Sequence, residues 1–171
     1  CVVFAKKLLE GTSMKVITVA SYPNGGMTTK VKVAQIKYAI KMGADEIDAC
    51  LNYNALKSGR FDDVKNDMNK MVDAAKDKIK LIFIPQFAIL TNEEKIKVCD
   101  LSIRTGCNVI KTNTGYGYNT IVEDILIAKR IYGSDLEVEA SGGCRTREQA
   151  KQILNAGSSV IHTSTIFNIL Q

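Results

Sequence analysis

A single histidine in 171 residues argues against any histidine-built metal site. Aromatic residues are only 6% of the chain, and no base-stacking motif is recognisable, so nucleic acid is not an expected partner. The net charge of +5 does not change that, because lysines alternate with acids, as in Lys65-Asn66-Asp67 and Lys76-Asp77-Lys78. Such a surface reads as solvated, with a bias toward small anionic molecules. No apolar run approaches the length needed to cross a membrane. Cys1-Val2-Val3-Phe4 leads straight into charged residues, which is not a signal-peptide pattern. Five cysteines (Cys1, Cys50, Cys99, Cys107, Cys144) are odd in number and form no C-x-x-C pair. Reduced thiols in a cytoplasmic protein are therefore expected. No G-x-G-x-x-G or Walker loop stands at a strand–helix junction, which leaves an open nucleotide-binding sheet as the second choice of architecture.

What the chain does contain is a regular alternation. Apolar, β-branched runs at Cys1–Ala5, Lys15–Tyr22, Glu46–Asn52, Leu81–Gln86, Asn108–Thr112, Leu136–Ala140 and Val160–Thr163 read as strands. Between them lie helical periods: Val33, Ile36 and Ile40 share one face, as do Phe61, Val64, Met68, Met71 and Val72. Thr91-Asn92-Glu93-Glu94 and Thr146-Arg147-Glu148-Gln149 are capping-box starts. Gly43, Gly106 and Gly157 follow helical stretches, where a left-handed cap is wanted. No linker or composition break divides residues 1–171, so one α/β domain with a parallel sheet is expected. Its strands turn polar at their C-terminal ends, where α/β folds place their chemistry.

Four segments carry candidate chemistry. Lys111 ends an apolar run and opens Thr112-Asn113-Thr114-Gly115, a setting in which an amine could be held in a cavity and attack a carbonyl. Asp48 sits inside a largely apolar strand, where a carboxylate is costly unless it pairs with a cation or moves protons. Ser141-Gly142-Gly143-Cys144-Arg145 can bring backbone N–H groups to an anion ahead of a helix, although two glycines also suit a plain tight turn. His162-Thr163-Ser164-Thr165 ends the last strand in hydroxyls, usable for phosphate or simply for capping the next helix.

In order and spacing these segments resemble the deoxyribose-phosphate aldolase family over nearly the whole chain. The resemblance runs through TVASYPNG (18–25), GADEIDACLNYNALKSG (43–59), VIKTNTGYG (109–117), ASGGCRT (140–146) and HTST (162–165). It implies a (β/α)₈ TIM barrel, lacking its first strand in this chain. It also implies a class I aldolase that needs no metal or other cofactor. Such an enzyme cleaves 2-deoxyribose 5-phosphate reversibly to glyceraldehyde 3-phosphate and acetaldehyde. Lys111 would be the Schiff-base lysine and Asp48 the proton-relay acid. Gly142, Gly143, Ser164 and Thr165 would bind the substrate phosphate.

Several positions depart from the family pattern. Glu139 stands where the resemblance calls for a second lysine, and a carboxylate near Lys111 would stabilise its ammonium instead of freeing the amine, unless Glu139 points elsewhere or serves as an acid–base group itself. Pro85 falls in an expected strand, where it cannot donate a ladder hydrogen bond. His162 replaces a glycine and would either crowd the phosphate pocket, the expected outcome, or contribute a donor to it. Two functional outcomes are open, a working phosphosugar aldolase or an impaired relative that binds phosphosugars or serves as a scaffold. A barrel open at the missing strand would expose two strand edges, which leaves a homo-oligomer open as well.

Overall fold

Cys1–Ala5 is helical, not extended as the sequence pattern suggested. Helix α1 covers Val2–Leu8, with backbone bonds from Ala5 N–H to the Cys1 carbonyl and from Leu9 N–H to the Ala5 carbonyl. A short apolar run cannot be told from a helix by periodicity alone. Here it continues into Ala5-Lys6-Lys7-Leu8, all good helix formers, with both lysines in the last turn where the helix dipole favours cations.

The computed structural model describes residues 1–171, which gather into two units, Cys1–Phe83 and Ile84–Gln171. In the first, α1 is followed by β1 (Ile17–Ala20), α2 (Thr29–Lys41), β2 (Glu46–Cys50), α3 (Tyr53–Lys57) and α4 (Phe61–Ala75), then β3 (Lys80–Ile84) leads out. Strands β1 and β2 are parallel, in register from Ile17 opposite Glu46 to Ala20 opposite Ala49. Every β2 residue is buried, as expected of a parallel strand covered on both faces. Helix α4 turns Val64, Met68 and Met71 inward and packs on α2, whose Ile36 is fully buried. Each such side chain contributes about 1.5–3 kcal/mol of hydrophobic stabilisation. Strand β3 stops at Ile84, so Pro85 lies just beyond the ladder it could not have joined.

The second unit holds α5 (Asn92–Arg104), β4 (Val109–Lys111), α6 (Val122–Tyr132), β5 (Glu137–Ser141), α7 (Arg147–Asn155), β6 (Val160–His162) and α8 (Ile166–Leu170). Its strands are parallel, with Lys111 opposite Glu139 and Ser141 opposite His162. Both expected capping boxes form, at Thr91 with Glu94 and at Thr146 with Gln149. Gly106 and Gly157 close their helices at φ of 85° and 105°, values that L side chains rarely adopt. Six of the seven expected strands are thus present, joined by helical crossovers in the βα order of a (β/α)₈ barrel.

Candidate active site

Lys111 is the last residue of β4 and is 8% exposed. The residues after it are held tightly. Thr112 N–H donates to the Glu139 carbonyl at 2.9 Å, extending the β4–β5 ladder by one residue. The Thr112 hydroxyl accepts from Ser141 N–H at 3.1 Å and meets the Thr120 hydroxyl at 2.5 Å, and Thr120 donates to the Ser141 carbonyl. Asn113 accepts from Ala88 N–H at 3.0 Å, and Thr114 N–H donates to the Gln86 side chain at 2.9 Å. The strand end carrying Lys111 is therefore bonded on both sides, which fixes the root of the side chain.

Beside it opens a cavity of about 350 Å³. Lys111, Thr114 and Gly115 line one part, and Ser141 to Arg145 and His162 to Ser164 line the rest. Of the sequence-expected residues, Lys111, Gly142, Gly143 and Ser164 all border this space. Thr165 does not. Its N–H and hydroxyl are engaged with the Thr163 hydroxyl at 3.0 and 3.1 Å, at the start of α8. Gly142 and Gly143 take φ of 100° and 78°. A side chain at Gly142 would meet the Tyr118 carbonyl oxygen, and one at Gly143 would meet the Asn119 side chain. The glycines thus admit the 115–120 loop as well as exposing backbone at the cavity wall.

Glu139 sits on β5 opposite Lys111 and is 1% exposed. Its Oε2 is 2.7 Å from His162 Nε2 on the neighbouring strand. The departure expected to hold down Lys111 is thus committed, at least in part, to an imidazole. Arg145, also in the lining, adds a cation and makes the cavity favourable to anions. Sequence reasoning gave Arg145 and Ser141 no role, and it missed the Glu139–His162 pair. Cys144 borders the cavity too, but burial pushes its thiol above the usual range and keeps it from competing as a thiolate nucleophile.

Asp48 occupies the middle of β2 in the first unit, 2% exposed, opposite Val19 of β1. That unit has a larger cavity, about 470 Å³, bordered by Thr28, Asn52, Arg60, Asp67 and Lys70. It offers no sheltered amine: Lys70 is exposed, and the buried Lys32 nearby is bound to Asp67. Volume alone is therefore a poor guide to the chemistry here.

A family model described as DeoC/LacD family aldolase matches residues 5–161. The deoxyribose-phosphate aldolase of Staphylococcus epidermidis is 43% identical over 169 residues, 98% of this chain and 76% of that protein. That of Carboxydothermus hydrogenoformans is 38% identical over 172 residues, covering 98% and 75% respectively. Among solved structures, the aldolase QR15 superimposes with a TM-score of 0.91 at 30% identity, over 98% of this chain and 75% of that one.

Proposed function

The chain belongs to the DeoC/LacD aldolase family, and from that premise we propose that it cleaves 2-deoxyribose 5-phosphate reversibly through a Schiff base on Lys111. The observation that carries this reading is the placement of Lys111. It is a sheltered amine at a rigid strand end, on a cavity whose remaining wall presents glycine backbone, hydroxyls and Arg145. In the cleavage direction the Lys111 amine adds to the sugar aldehyde, and water leaves to give the iminium. Loss of the C3 hydroxyl proton releases glyceraldehyde 3-phosphate as the C2–C3 pair moves into an enamine. Protonation at C2 and hydrolysis then free acetaldehyde and the amine. Gly142, Gly143 and Ser164 bind the phosphate, with Arg145 as its nearest cationic neighbour in the wall. Thr165 supports that segment through Thr163. Asp48 takes the proton-relay role that the family pattern implies, and its burial in β2 supports a carboxylate retained for chemistry. Residues 1–171 act in this reading as a single cytoplasmic aldolase-type barrel domain.

Borohydride reduction in the presence of acetaldehyde tests the proposal. An ethyl group should appear on Lys111 by peptide mass spectrometry, alongside cleavage of deoxyribose 5-phosphate in a coupled assay. A Lys111 peptide of unchanged mass, with another lysine modified or none, would refute it.

A further inference from the structure

The cavity wall contains one more proton-transfer group than the family pattern supplies. Hydroxyls from Thr114, Ser141, Thr163 and Ser164 are too weakly basic to take a proton from carbon, and the guanidinium of Arg145 offers donors but no acceptor. Cys144 is held as a thiol. Apart from Lys111, that leaves His162, whose imidazole is the side-chain type that ordinarily exchanges protons near neutrality.

His162 is also arranged for the task. Its Nε2 lies 2.7 Å from a Glu139 carboxylate that is almost wholly buried, on the adjacent strand. A buried carboxylate is costly unless bonded, and His162 supplies one such bond. With the carboxylate ionised, Nε2–H donates to it, and the neutral ring then carries its lone pair on Nδ1, the nitrogen not held by Glu139. A carboxylate in this position fixes the tautomer and stabilises the imidazolium formed when the other nitrogen gains a proton.

We propose that Glu139 and His162 form a proton-transfer dyad for the Schiff base on Lys111, with His162 exchanging the proton at the enamine carbon and Glu139 positioning it. The inference rests on reading Lys111 as the Schiff-base lysine. Starting from the acetaldehyde iminium, Nδ1 takes one proton from the methyl carbon. The C–H electron pair becomes the C=C bond of the enamine, and the C=N π pair moves to the lysine nitrogen. The proton stays on the imidazolium, paired with Glu139, and returns to the same carbon in the cleavage direction. No further reactant is needed.

Deuterium uptake from D₂O into the methyl group of acetaldehyde, followed by NMR, reads this step without requiring a sugar. His162→Gln keeps an N–H for Glu139 but has no proton acceptor. It should exchange about 100-fold more slowly or worse, while borohydride still labels Lys111 and the melting temperature stays near that of the parent. His162→Gly should be slowed similarly and respond to added imidazole, which a structural role would not produce. Glu139→Gln should lose less, with no imidazole response. Exchange by His162→Gln within about threefold of the parent, well short of a general-base effect, overturns the dyad and leaves the Lys111 reading standing. So does slow exchange by His162→Gly that imidazole leaves unchanged. Failure to label Lys111 in the parent removes the Schiff base itself, and the dyad falls with it.

Discussion

Three lysines of this chain are buried, and they divide between two layers of the fold. Lys32 on α2 and Lys95 on α5 belong to the helical layer, where Asp67 and Asp124 bind them at 2.5 and 2.7 Å. Lys111 belongs to the strand layer, at a β-strand end beside the cavity. Burial is common to all three, so it cannot by itself mark a nucleophile. An amine bonded to a carboxylate between helices is committed to that ion pair. An amine at a strand end borders space that a substrate can enter. The same side chain is thus committed to packing in one layer and, in the reading proposed above, available for chemistry in the other.

Substitutions that break this division should separate activity from stability. Lys111→Met should abolish borohydride labelling and reduce deoxyribose-phosphate cleavage by at least about 10⁴-fold, the scale of losing a covalent nucleophile. Its urea midpoint should stay close to that of the parent. Lys32→Met should do the reverse. It strands the Asp67 carboxylate in the α2–α4 contact and should cost about 3–5 kcal/mol in urea unfolding. Adding Asp67→Leu should recover most of that loss, because an apolar pair of similar volume is often as stable as a buried ion pair. If Lys32→Met unfolds no more easily than Lys111→Met, the two layers do not differ as described.

The strand layer was largely legible in the sequence, and the helical ion pairs were not. The strand-end position of Lys111 was readable because an apolar run ended on it, and the capping boxes at Thr91 and Thr146 are local signals that need no tertiary context. Cys1–Ala5 misled because five apolar or small residues fit a helix as well as a strand. The Glu139–His162 pair lies 23 residues apart in sequence and depends on the register of two neighbouring strands, which no local pattern reveals. A signal for the buried pairs did exist. Val64, Asp67, Met68 and Met71 form one i, i+3, i+4, i+7 stripe, as do Lys95, Val98, Cys99 and Ser102, and all eight are buried. A charge inside such a stripe announces a partner across the interface.

Smaller effects should come from the helix ends. Thr146→Ala removes the acceptor for Gln149 N–H at the start of α7, which follows the glycine segment of the cavity wall. About 1 kcal/mol of stability should be lost, measured by urea unfolding. Phosphosugar KM should change little if capping is the whole role of Thr146. A rise in KM well beyond the stability loss would mean that the residue also shapes the phosphate end of the cavity.

The smallest effect belongs to the half-buried counterpart of the buried pairs, Lys6 with Asp45. Lys6 Nζ reaches Asp45 Oδ1 at 2.8 Å, and Val16 N–H donates to Oδ2 at 2.7 Å, tying α1 and β1 to the turn before β2. The Lys6 bond first and the Val16 bond second hold the Asp45 carboxyl below its ordinary range. Both contacts favour the ionised form, so their stabilisation is complete above the unfolded value of about 4. Acid protonates the unfolded chain first, and the advantage drains away as pH falls through the lowered folded value. Asp45→Asn should therefore cost only about 0.5 kcal/mol at neutral pH, the range of solvent-accessible pairs. The gap in melting temperature between parent and variant should narrow steadily as pH drops below about 4. High salt should shrink the neutral-pH gap as well, whereas the cost of Lys32→Met should hardly respond. A gap that widens in acid would show that Asp45 is not the group whose ionisation ties α1 to the sheet.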